Sequence, residues 1–88
     1  MPRISEFFGL VVYMYWFDIQ KHKLPHIHVR YQGAEAVFAL DGRLIEGALG
    51  TRAENLVQDW CSQSQQALET AWACAAAGKE VPWVLPLQ

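Results

Sequence analysis

The stretch Leu24 to Gly47, LPHIHVRYQGAEAVFALDGRLIEG, decides the reading of this chain, because two tight-turn signals fix the pairing of three strands. From His26 the residues alternate strictly. Ile27, Val29 and Tyr31 take one face, and His26, His28 and Arg30 take the other. Gln32-Gly33 supplies one two-residue hairpin turn and Asp41-Gly42 a stronger one, since both central positions of such a turn want positive φ. The first hairpin then sets Arg30 opposite Glu35, Val29 opposite Ala36, His28 opposite Val37, Ile27 opposite Phe38 and His26 opposite Ala39. The second sets Ala39 opposite Leu44, Phe38 opposite Ile45 and Val37 opposite Glu46.

That register sorts the meander into two faces. Ile27, Val29, Tyr31, Ala36, Phe38, Leu40 and Ile45 form a core face. A wet face carries His26, His28, Arg30, Glu35 and Glu46, separated by Val37, Ala39 and Leu44. A slip of one residue would bury the histidines and expose the core, so burial selects this register.

Upstream, residues 9–17, GLVVYMYWF, are β-branched and aromatic and read as another strand. Tyr13 and Tyr15 fall on one of its faces. The connection DIQKHKLP is charged, and Pro25 favours an extended entry into the next strand. Downstream, Thr51-Arg52-Ala53-Glu54 fits a capping box, so a helix is predicted over about residues 52–77. Its apolar positions follow three-and-four spacing, with Trp60 and Trp72 expected in the core. Gly78 and Pro82 end it. Such a helix spans roughly 39 Å, and a strand of seven residues spans about 23 Å. It therefore overhangs the sheet, where Trp72 meets a partner or a second copy, or it breaks near Ser62-Gln63-Ser64. The tail 79–88 is predicted to be extended, with Trp83 packing back.

The fold expected is α+β in one domain: a mainly antiparallel four-stranded sheet (strands about 9–17, 26–32, 34–40 and 43–47) with one long C-terminal helix on one face.

Composition sets the bounds. At 88 residues, with 52% apolar residues and four tryptophans, the chain is globular but small enough to be marginally stable alone. No apolar run reaches the roughly 20 residues of a membrane helix, and the N-terminus lacks the pattern of a signal peptide. A cytoplasmic location without membrane contact is expected. Cys61 and Cys74 lie about 20 Å apart along the predicted helix, too far to bridge. The net charge of −2 argues against nonspecific nucleic-acid binding by the whole surface. Locally, however, Lys21 to Arg30 contains every histidine and no acidic residue.

These residues resemble the small prokaryotic family catalogued as domain of unknown function 4160. GLVVYMYWFD, the Pro-His-x-His strand with its following hairpins, and the spaced helix tryptophans in LVQDW and ALETAW carry the resemblance, which spans nearly the whole chain. The resemblance implies genomic company: such genes often sit beside another short gene, in an arrangement similar to toxin–antitoxin pairs. A small protein encoded by the neighbouring gene is therefore the implied partner. Ser62, Gln63, Ser64 and Gln65 depart from the more charged stretch that is usual there.

Three chemistries suit the face. His28 and His26 could serve a metal-free ribonuclease as general base and general acid, with Arg30 stabilising charge on phosphorus. Lys21 and Lys23 would position RNA, Tyr13 or Tyr15 would stack a base, and Glu46 would orient an imidazole. Alternatively, His22, His26 and His28 could hold a divalent metal such as zinc, with Glu46 or Glu35 as a fourth ligand. In the third reading no cofactor is involved, and the arginine and aromatics bind a protein partner. No Gly-rich phosphate loop, Ser-His-Asp order or Cys-x-x-Cys pair is present. The leading expectation is a component, a candidate toxin, of a two-gene toxin–antitoxin-like module acting through His26, His28 and Arg30.

Overall fold

The computed structural model of the chain describes residues 3–15 and 24–87. Five strands run in chain order across one antiparallel sheet: β1 (Arg3–Phe7), β2 (Leu10–Tyr13), β3 (His26–Tyr31), β4 (Ala34–Ala39) and β5 (Leu44–Gly47). Two helices follow, α1 (Thr51–Gln63) and α2 (Gln65–Ala76). The architecture is α+β, with five strands and two helices in place of the expected four strands and one helix.

The additional strand is β1, which pairs with β2 through Glu6 opposite Val11 and Phe7 opposite Leu10. RISEF mixes charged and apolar residues, and the turn after it has no Asn-Gly or Asp-Gly signature. Phe8 and Gly9 form that turn at φ 49° and 80°. The first angle is rare for an aromatic residue, so the hairpin is invisible to turn preferences. Gly9 belongs to the turn, and β2 is shorter than the strand expected over residues 9–17; Trp16 and Phe17 lie outside the described residues.

The first hairpin matches its predicted register at every pair, from Arg30 opposite Glu35 to His26 opposite Ala39. The second matches at Val37 opposite Glu46, then shifts, because a bulge sets Phe38 opposite Leu44. The cause lies in the turn. Ala39 N–H donates to the Arg43 carbonyl, and the Asp41 carboxylate accepts Arg43 N–H at 2.9 Å. This widens the loop beyond two residues and places the extra residue in β5. Ile45, expected in the core, is consequently exposed. Gly47 at φ 80° lies so close to β4 that a Cβ would collide with the Glu35 carbonyl oxygen.

On the core face Ile27, Val29, Ala36 and Phe38 pack with Leu10 and Val12 beneath Ala53, Val57 and Trp60 of α1 and Leu68 and Ala71 of α2. Burying each large side chain contributes about 1.5–3 kcal/mol. Trp60 is fully enclosed against Phe7, and Trp72 is half-buried.

The helix starts one residue earlier than a Thr51 cap would place it. Gly50 is the N-cap, and no side chain caps the first turn. Half of the expected box survives: the Glu54 carboxylate accepts the Leu49 and Gly50 N–H groups. The long helix breaks at Ser64, where Ser64 N–H turns back to the Cys61 carbonyl. The Gln65 amide bridges that carbonyl and Leu40 O in the β4–β5 turn. Pinning the second helix to the sheet's end keeps it over the core, so the overhang does not occur.

Residues 79–87 form no helix or strand, and the anchor of this tail is Val84, not Trp83. Val84 is buried and its N–H donates to Ile4 O of β1 at 2.7 Å, while the Trp60 indole donates to Leu85 O at 2.8 Å. Trp83 is exposed.

Candidate functional site on the outer sheet face

Sheet pairing builds the site in two rows. Tyr13, His28, Val37 and Glu46 lie opposite one another across β2 to β5, and Val11, Arg30 and Glu35 form the adjacent row. Because alternate residues share a face, strands β2, β3 and β4 deliver Tyr13, His28, Arg30 and Glu35 to the same side.

Glu35 sits between two nitrogen donors. Its Oε1 lies 3.6 Å from His28 Nδ1, and its Oε2 lies 3.8 Å from Arg30 Nε. Tyr15 meets the His28 ring edge-on at 4.6 Å, and Tyr13 and Tyr15 stack nearly parallel with centroids 6.2 Å apart. The Arg30 guanidinium reaches over Tyr13, 5.9 Å from its centroid. Arg30 and Glu35 are exposed, whereas the His28 side chain is only 14% exposed.

His26 departs from the expected wet face. It is fully buried, its ring 5.3 Å from both His28 and Trp72. A carbonyl oxygen only accepts, so the 2.8 Å contact with Leu24 O means that Nδ1 carries a proton and donates it. Val37 and Ala39 on this side are buried too. The alternation places His26 on the outer side correctly, but it cannot register that Trp72 of α2 reaches around the sheet's end to cover it. Trp72 was legible only as a periodic helix position, with no signal for this contact.

The structure thus brings together Tyr13, Tyr15, His28, Arg30 and Glu35, with His26 beneath them. Glu46 is exposed in the His28 row but two strands away, about 10 Å between backbones. Lys21, His22 and Lys23 lie outside the described residues, and with them the proposed loop contributions and the third ligand of a metal. Among the described residues no group of three or more His, Cys, Asp or Glu side chains is arranged to hold a metal ion.

The arrangement offers one partly exposed imidazole with a carboxylate beside its Nδ1, one exposed guanidinium and two aromatic rings. Such a set can transfer a proton, clasp an anionic or carbonyl group and stack against a planar one. The Cys61 thiol adds nothing: burial, and then the Asp41 carboxylate, push it from 9.0 up to about 12, so it is not a nucleophile near neutrality. No helix among the described residues is long and apolar enough to cross a membrane.

Comparison with curated proteins and with solved structures finds no match. The family described as "Domain of unknown function (DUF4160)" matches residues 9–73, a span that contains β2 to β5, the whole outer-face cluster and most of both helices. The chain therefore belongs to the family of domain of unknown function 4160.

Proposed function

We propose that this protein is a cytoplasmic component, a candidate toxin, of a two-protein toxin–antitoxin-like module, and that Tyr13, Tyr15, His28, Arg30 and Glu35 form the surface it works through. One observation carries the reading. An exposed arginine is held over a tyrosine stack and against a carboxylate, which preorganises the residue types that dominate protein–protein hot spots. The partner implied is the small protein encoded beside it. The two purified products should bind each other, and Arg30→Ala or Tyr13→Ala should weaken that binding at least about tenfold. Induced expression with and without the neighbour tests the toxin role: unimpaired growth in both cases removes it.

A second reading draws on the carboxylate beside His28. In RNA cleavage His28 would transfer the proton, Glu35 would orient its ring, and Arg30 would stabilise the charge on phosphorus. Buried His26 would then position His28 without touching substrate. RNA turnover by the purified protein should fall about 10²–10⁴-fold in His28→Ala. A variant as active as the parent would exclude His28 from the chemistry.

A further inference from the structure

The two edges of the sheet are finished differently. At β1 the tail lies alongside, with Val84 N–H bonded to Ile4 O. At β5, the other terminal strand, no described residue pairs with the outer edge. Its shortness and bulge blunt it, but Leu44–Gly47 contains neither Lys nor Pro, and consecutive Leu44 and Ile45 are 37% and 38% exposed.

A cleft of about 340 Å³ opens where β5 begins, between the β4–β5 turn and α2. Trp72, Leu24 and Leu40 give it an apolar wall, and Asp41, Glu69 and Arg43 bring charges to it. None of these three side chains is in an ion pair among the described residues. Among the described residues that line the cleft, two carboxylates face one guanidinium, a net acidic set.

We infer that β5 and this cleft together receive an extended peptide segment of a partner protein, which adds as a sixth, antiparallel strand and ends with a Lys or Arg side chain in the cleft. No described residue pairs with the outer backbone of β5, and an open edge of this kind specifies an extended chain. Two adjacent apolar residues of that segment lie opposite Ile45 and Leu44. An antiparallel chain then passes Arg43 in its C-terminal direction and reaches the cleft within two residues. There a basic side chain lays its stem on Trp72 and its charge between Asp41 and Glu69.

A second copy of this chain fits less well. A two-fold axis normal to the sheet preserves the face to which each side chain points, so pairing centred on Ile45 sets Leu44 opposite Glu46 and brings the two Glu46 carboxylates to diagonal positions. Pairing centred on Leu44 runs into the turn at Gly42. Four paired residues also bury well below the roughly 1,000 Å² a specific dimer needs. The inference is independent of the outer-face reading, since it uses none of Tyr13, Tyr15, His28 or Arg30.

Selection of a random seven-residue peptide library displayed on phage against the immobilised full chain tests it. Enriched sequences should carry two adjacent apolar residues followed within two positions by Lys or Arg. A synthetic peptide of the enriched sequence should slow amide exchange in Leu44–Gly47. Ile45→Lys and Ile45→Pro should each weaken its binding at least tenfold and Glu69→Gln severalfold, while Arg30→Ala leaves it unchanged. Ile45→Lys keeps the backbone donor, so its effect does not depend on the fold tolerating proline. The inference is overturned by failure to enrich any such sequence, by protection elsewhere than β5, or by sedimentation showing a dimer of the parent chain that Ile45→Lys dissociates.

Discussion

His26 donates Nδ1–H to Leu24 O and packs its ring between Trp72 and His28, fully out of solvent. Replacing it with alanine removes those ring contacts and strands a carbonyl, at a cost of about 2–3 kcal/mol. Urea denaturation of His26→Ala should show that loss, and a variant of parental stability would show that the imidazole is not structural. Cys61 makes a second residue-scale prediction. Its thiol stays protonated in the folded chain up to about pH 12, but ionises near 9.0 once unfolded. The folded state therefore binds more protons than the unfolded state between these values, so stability is full below pH 9 and falls as pH rises, by up to about 1.4 kcal/mol per unit. Stability measured from pH 8 to 11 should fall less steeply in Cys61→Ala than in the parent, and equal slopes would contradict the burial argument.

At the scale of elements, the informative junction is Ser64. A continuous helix would satisfy the Cys61 carbonyl with the Gln65 backbone, but Ser64 N–H and the Gln65 side chain do so instead, and that side chain also holds Leu40 O at 2.6 Å. One amide therefore joins α1, the start of α2 and the β4–β5 turn. Gln65→Ala should cost about 1–2 kcal/mol and speed amide exchange around Ser64 more than in the middle of α1. Loss of stability without local opening would mean that the break is set elsewhere. The turn itself was half legible: Asp41-Gly42 signalled a reversal, but the Asx contact from Asp41 to Arg43 N–H converted a two-residue turn into a wider one with a bulge. That local hydrogen bond moved Ile45 from the core face to the surface.

For the whole molecule, the tail is a fastening. Val84 fills the core, bonds to β1 and helps seat the carbonyl that accepts the Trp60 indole N–H. Deleting residues 84–88 leaves a buried indole donor without its acceptor and uncovers the β1 edge. The melting temperature should fall by at least about 10 °C, since about 1 kcal/mol shifts a domain of this size by 4–8 °C. An unchanged melting temperature would mean that the tail contributes no net stability.

The period-two pattern from His26 to Ala39, with Gln32-Gly33 between, determined the first hairpin and gathered His28, Arg30 and Glu35 on one face. This was possible because strand alternation and turn chemistry are local, and a slip of one residue would have inverted every side chain. What covers each face is not local. Burial of His26 depends on Trp72, nearly fifty residues away, whose position depends on a helix break held by Gln65. β1 escaped because Phe8 takes a backbone angle that its side chain disfavours. In this hairpin, sequence alone therefore determined which side chains share a side of the sheet, and tertiary structure alone decided which of them meet solvent, because accessibility belongs to the packing of distant elements rather than to the strand that carries the residue.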